Sequence, residues 1–503
     1  MKRLSLLAMG VWLCLTGASA YTNPILPYDY SDPDVCRVGD DYYMTSSSFN
    51  CIPGLQILHS TDLVHWTLTD AALPDYVPGT EDEPTPQYGG GVWAPSIRYH
   101  EGRFYIYYGD PDRGIYCVRS EETKSLPCRW EKAIMVKKGK GLIDPCPLWS
   151  EDGHCYLVHA FAGSRAGFKS ALAVCELSAD GLTTLTESRI VFDGHPDNPT
   201  CEGPKFYFRN GYYYIFCPAG GVSTGWQLAM RSKSPYGPYQ AKRVLEQGGS
   251  DINAPHQGAW VTSEPKKTDM GEVCDWFFHF QDVGVAGRIV HLQPMRWSDD
   301  WPIIGNNGEP VIRCEMRGTA DNEPTAGESG ISPIWRDEFD ANRLDISWQW
   351  SGNRRSEFAF CNAAESRLRL FTYPADSVNI AQNLLLQKIP AGRAFTATAK
   401  VRFTPNVKTA KYERAGLIVA GRRCFTLDAP ADGQWVWLRV EVSKTQECRF
   451  YLSRDGKTYA DTGASFQAVE GQWIGAKVGL FCTRKPVKIN DSGYMDVDYF
   501  EIH

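Results

Sequence analysis

The chain has 503 residues, 43% of them hydrophobic and 13% aromatic, and a formal net charge of -7. This length accommodates two domains with separate cores, and the acidic balance without a basic stripe excludes a nucleic-acid partner as the natural reading. Past the first 20 residues no apolar run is long enough to span a bilayer.

The N-terminus reads Met1-Lys2-Arg3, then a mostly apolar Leu4 to Leu15, then the small residues Ala18-Ser19-Ala20. This is the layout of a cleavable secretory signal over residues 1–20, with Tyr21 as the mature N-terminus and a periplasmic or secreted destination. Cys14 lacks small residues just before it, which argues against a lipid-anchored form. Removing the signal leaves 15 of 16 cysteines, an odd number, so at least one thiol stays unpaired within the chain. They lack metal-type spacing, and Cys155, Cys217 and Cys482 lie in apolar runs, so buried free thiols are expected in place of a zinc site or a dense disulfide framework.

A repeat begins at Asp32. Ser31-Asp32-Pro33-Asp34, Ile143-Asp144-Pro145 and Glu202-Gly203-Pro204 each precede an apolar run with a turn signal eight residues after the acid, at Asp40-Asp41, Asp152-Gly153 and Asn210-Gly211. Aromatic or apolar residues follow each turn, as in hairpins between β-strands. Trp93 in Trp93-Ala94-Pro95-Ser96 and His256 in Pro255-His256-Gln257-Gly258 open two further units, the last with a second strand expected at Trp276–Phe280 after a polar insertion. The starts at 32, 93, 144, 202 and 256 are 61, 51, 58 and 54 residues apart, which suits four strands with elaborated loops. Outer-strand signals recur at Ser60-Thr61-Asp62-Leu63-Val64-His65-Trp66 and Ser234-Pro235-Tyr236-Gly237-Pro238-Tyr239. The pattern predicts an all-β five-bladed β-propeller over residues 21–316, with Asp32, Trp93, Asp144, Glu202 and His256 at one mouth of a central channel and the three acids in one structural phase.

Residues 317–333 are polar, bear Gly and Pro, and lack periodicity, as a linker should. Period-two alternation then recurs at Arg367–Phe371, Phe395–Phe403 and Trp435–Val442, predicting a concanavalin-like β-sandwich over 334–503. Asp337 near its start and Asp498 near its end have two readings: solvated edge acids, or ligands of a structural Ca²⁺ if the first and last strands pair.

The run from Asn23-Pro24-Ile25-Leu26 through Asp32-Pro33, with Gly39-Asp40-Asp41-Tyr42-Tyr43, Ser47-Ser48-Phe49, Pro53-Gly54-Leu55-Gln56-Ile57 and His59–Trp66, resembles glycoside hydrolase family 43. Trp93-Ala94-Pro95, Ile143-Asp144-Pro145, Glu202-Gly203-Pro204 and Gly287-Arg288 continue the match over roughly residues 23 to 310. The sandwich resembles the C-terminal domain of the β-xylosidase-like members. The resemblance implies an inverting glycosidase acting on xylosyl or arabinofuranosyl linkages, with Asp32 as base, Asp144 as the tuning residue and Glu202 as acid. It also places Phe49 and Trp93 as subsite walls, Arg288 as a donor to substrate hydroxyls, and His256 beside a central Ca²⁺ or Na⁺.

The residue types fit that chemistry. Inversion needs a base and a protonated acid about 6.5 to 9.5 Å apart, and Asp144 between them would supply a charge that keeps a proton on Glu202. The chemistry itself needs no cofactor. Plainer readings stand beside each assignment: an Asp before Pro as a turn former, Arg288 as a surface ion-pair partner, Phe49 and Trp93 as core, and His256 as a satisfied channel histidine. Asp34 is a competing acid but lies outside the repeat phase. Residues 74–91, long, acidic and Pro-rich, are either a solvated loop or a wall that closes the pocket.

The function expected is exo-acting release of single xylosyl or arabinofuranosyl residues from plant cell-wall polysaccharides or oligosaccharides. A glycan-binding propeller without hydrolysis is disfavoured because all three acids are present. An endo-acting arabinanase is disfavoured by the appended sandwich and the 74–91 stretch. The sequence leaves the oligomeric state open.

Overall fold

The computed structural model describes residues 20–83, 85–316 and 335–503. The signal segment up to residue 19 and the stretch read as a linker lie outside them. Between Asp34 and Ile304 the strands form five four-stranded antiparallel sheets, each taken in chain order. Their first strands, Asp34–Val38, Trp93–His100, Leu142–Trp149, Lys205–Arg209 and His256–Thr268, neighbour one another around the axis of a five-bladed propeller.

The hairpins form where the turn residues require them. Glu101-Gly102 and Asn210-Gly211 both place two consecutive residues at positive φ between paired strands, the geometry of a type I′ turn. The fifth blade departs from expectation: Trp276–Phe280 is the middle of a longer strand, Gly271–Asp282, because the polar residues thought to be inserted extend the inner hairpin instead. Residues 61–66 are a connection between strands and not an outer strand. Asp62 Oδ1 accepts from Val64 N and His65 N, and the buried Trp66 donates to Leu63 O. The ring is clasped by Ala20–Thr22 pairing with Arg313–Glu315.

The second domain packs an eight-stranded sheet on a six-stranded one. Their inward residues, among them Trp348, Leu368, Val401, Leu438, Leu480 and Phe500, form a single apolar core. The strands predicted from alternation appear as Arg367–Phe371, Phe395–Thr404 and Val436–Val442. The first and last strands do pair, Trp335–Asp337 with Tyr494–Ile502.

A continuous seam joins the domains. Ile52 and Trp350 exchange two backbone hydrogen bonds at 2.6 and 3.0 Å, Asn50 Nδ2 donates to Ser351 O, and Ala476 N donates to Val285 O. The fifteen cysteines from Cys36 onward are free thiols, with Cys155, Cys217 and Cys482 buried as expected.

Candidate active site

Each innermost strand is entered through a residue in the left-handed region: Asp32 (φ 55°), Ala94 (32°), Asp144 (56°), Gly203 (58°) and Gln257 (30°). In the second, third and fifth blades a register shift falls at that residue, and such bulges re-aim side chains. This corrects the predicted phase. Trp93 and His256 align with Ile143, and Glu202 stands one residue before Gly203, so only Asp32 and Asp144 share a position. Gly203 takes the left-handed place before Pro204. The carboxyl of that blade therefore comes from the preceding residue, whose extra methylene restores its reach.

Asp32 is buried, and Ser31 Oγ and Ser47 Oγ donate to its Oδ2 at 3.2 and 2.5 Å. Arg288 Nη1 lies 3.3 Å from its Oδ1. Ser47 Oγ also accepts from Ala94 N, tying the first blade to the second. Asp144 ties three blades: its Oδ2 accepts from Gly203 N at 2.8 Å and Gln257 Nε2 at 3.3 Å. Glu202 is the open member, with its side chain 29% exposed and Oε1 3.2 Å from His256 Nε2. Phe280 connects the two cationic or titratable partners, its ring 4.7 Å from the Arg288 guanidinium and 5.3 Å from the His256 ring.

Burial first, then the charges of Glu202 and Asp32, push the Asp144 carboxyl well above its ordinary range. The Gly203 N–H and the Lys205 ammonium oppose the shift. The sequence reading made Asp144 the source of charge; in the fold, burial drives its own carboxyl toward neutrality. Lys205, fully buried with Nζ 2.6 Å from Pro95 O, was missed by sequence reasoning. A lysine directly after Gly-Pro in an innermost strand was the available signal.

Asp34 is a structural acid, its Oδ2 accepting from Ile97 N and Arg98 Nη1. Phe49 is buried in a left-handed conformation and pairs with Val92 through two backbone hydrogen bonds. Trp93 is half-buried, donates Nε1–H to Gly89 O and lies under the Arg165 guanidinium. The 74–91 stretch is pinned to the sandwich and not free in solvent: Asn353 bonds Val77 N and Thr80 O, and Gln382 donates to Glu83 O. The sandwich also supplies Trp473, 45% exposed, at positive φ and 5.9 Å from the Arg288 guanidinium. Nothing in its local sequence distinguishes it from other surface aromatics.

Among the described residues no group of three or more His, Cys, Asp or Glu side chains converges on a metal site. Asp337 accepts from Phe339 N and Trp348 Nε1, and Asp498 pairs with Lys400, so the sandwich acids do not fit the expected Ca²⁺. His256 Nδ1 is buried without a hydrogen-bond partner, an imidazole nitrogen that fits a cation only through an intervening water.

Three carboxyl groups within electrostatic reach of one another at the propeller axis, one of them ion-paired to Arg288, fit an enzyme that cleaves glycosidic bonds. Residues 21–302 match the model of glycosyl hydrolases family 43, and residues 336–429 and 423–503 match the beta xylosidase C-terminal concanavalin A-like domain. The chain belongs to glycoside hydrolase family 43 and is an inverting glycosidase. It is 37% identical over 497 residues to a Xylanibacter ruminicola protein named "Putative beta-xylosidase", covering 93% of this chain and 87% of that one. It is 30% identical over 446 residues to the non-reducing end alpha-L-arabinofuranosidase BoGH43B of Bacteroides ovatus, covering 83% and 77%. The solved xylan beta-1,4-xylosidase of Bacillus halodurans shares the fold, with TM-score 0.78 at 22% identity over 96% of this chain and 99% of that one. No helix among the described residues is long and apolar enough to cross a membrane.

Proposed function

We propose that this glycosidase is exo-acting and removes single terminal pentoses, xylosyl or arabinofuranosyl, from plant polysaccharides or oligosaccharides, working as a periplasmic or secreted enzyme. The observation that carries the reading is the rim that the sandwich builds: the 74–91 stretch is pinned to it and meets Gln472 at Gly89, next to Trp473, which stands beside Arg288, so residues of both domains wall the mouth. The names of the relatives point to the same two sugars.

Asp32 is the general base. It takes a proton from the water that attacks the anomeric carbon, while Arg288 and Ser47 hold its carboxylate in place. Glu202, the most exposed of the three acids, gives its proton to the departing glycosidic oxygen, and His256 fixes its Oε1. Asp144 stays buried and orients the site, its carboxyl holding Gly203 N beside Glu202 and Gln257 of the next blade. Phe49 and Trp93 bound the subsite. A Ca²⁺ or Na⁺ near His256, held through water, would add positive potential at the axis; no step depends on it.

The test uses 4-nitrophenyl β-xylopyranoside, 4-nitrophenyl α-L-arabinofuranoside and linear arabinan. Release from either pentoside without shortening of arabinan is expected. Rapid loss of arabinan chain length with neither pentoside cleaved would overturn the exo reading.

A further inference from the structure

Asp29 lies outside the acid triad yet sits at the junction of everything around it. Its buried carboxylate accepts two backbone N–H groups from different domains: Arg288 N to Oδ1 and Gly475 N to Oδ2, both at 2.9 Å. Two glycines make the approach possible. A Cβ on Gly287, at φ 82°, would fall 2.5 Å from the Asp29 carboxyl, and one on Gly475 would fall 2.8 Å from Gly287 N. Arg288 O in turn accepts from Tyr30 N, so the first and fifth blades are held on both sides of the arginine.

The two N–H donors belong to consequential neighbours. Arg288 presents its guanidinium to Asp32, Ser31 and Asp282. Gly475 is two residues after Trp473, the aromatic that overhangs the same guanidinium. One carboxylate therefore sets both the height of the arginine and the position of the rim that the sandwich contributes. A hydrogen bond to an ionised group is about twice as strong as a neutral one, and a buried carboxylate with two such donors is rigid.

We propose that Asp29 is a positioning residue that registers the sandwich rim at Trp473 against Arg288 in the propeller, and so sets how tightly the sugar is held without taking part in proton transfer. The amide of Asp29→Asn keeps one acceptor and turns an N–H₂ toward the other N–H donor, which breaks one half of the clasp. For a chromogenic pentoside, an assay that rests on the function proposed above, KM should rise about tenfold while kcat changes less than about threefold and the pH profile stays put. Hydrogen exchange in residues 471–476 and 285–288 should accelerate together in the same variant, a readout that needs no substrate and stands even if no pentoside is cleaved. In a Trp473→Ala background the KM effect of Asp29→Asn should shrink to less than half. Should Asp29→Asn fail to fold, Gly475→Ala loosens the clasp from the other side and is expected to raise KM in the same way. An unchanged KM, unchanged exchange at 471–476, or full additivity with Trp473→Ala in a folded variant would each overturn the proposal.

Discussion

The propeller and the sandwich bury charge to different ends. The sandwich core is apolar, and the charges buried around it have partners within the domain: Asp496 is answered by Arg369 and Arg402, Glu413 by Asn406 N and Thr409 Oγ1, and Lys477 by Gln349 Oε1. The propeller buries Asp32, Asp34, Asp144, Lys205, His256 and Arg288 toward its axis, and His159, His279 and His291 within its blades. Buried charges of the first kind have only structure to maintain. Those of the second kind are held away from water at a cost in stability, and that cost is tolerated where chemistry uses it.

The sharpest way to test the contrast is at Glu202. Glu202→Gln keeps the shape of the side chain but removes the proton donor, and is expected to lower kcat on substrates with poor leaving groups by about 10³-fold, with the melting temperature unchanged. Turnover at the parent rate would remove Glu202 from its role. A substitution of similar size at Glu447 in the sandwich, whose side chain is 46% exposed, should leave kcat where it was.

A second, smaller effect separates the domains by pH. Burial lowers His159 and His279 to about 4, and holds His291 well below its usual value. These rings stay neutral in the fold while the unfolded chain protonates them near pH 6.5, so between pH 6.5 and 4 the unfolded state binds more protons and stability falls as acid is added. Each ring contributes at most ~1.4 kcal/mol per pH unit inside that window. Nine of the ten histidines lie in the propeller and the tenth is the exposed His503. Hydrogen exchange should therefore show propeller strands losing protection on acidification before sandwich strands do. Equal loss in both would break the comparison.

The smallest expected effect has the opposite sign. Because the folded protein raises the Asp144 carboxyl, the fold binds this proton more tightly than the unfolded chain. Stability from this group is fully present below the ordinary carboxyl range and is lost as pH rises through the folded value. Asp144→Asn should raise the melting temperature by about 2 °C at neutral pH, with the gain vanishing near pH 3, while activity falls. A melting temperature lowered at neutral pH would mean that the ionised carboxylate stabilises the fold.

The legibility of the two domains in the sequence follows the same division. Strands such as Arg367–Phe371 and Phe395–Thr404 were readable because one face is apolar and the other polar, and the acid-Pro phrases marked blade starts because Pro fixes the backbone after a left-handed residue. The single-residue offset of Glu202 was hidden, since Glu202-Gly203-Pro204 imitates Ile143-Asp144-Pro145 in spacing while Gly203 occupies the place of Asp144. Lys205 and Asp29 were invisible as site neighbours because their partners, Pro95 O, Arg288 N and Gly475 N, are backbone atoms brought near only by ring closure and domain docking. Trp473 was missed for the same reason.

The rim at Trp473 and the acids beneath it are encoded in separate stretches of the chain, one in each domain. Mutational drift around residues 471–475 can thus change the aromatic beside Arg288 while the three acids are inherited intact. Fusing the catalytic ring to a foreign appendage would conversely keep Asp32, Asp144 and Glu202 and remove Trp473 from beside Arg288.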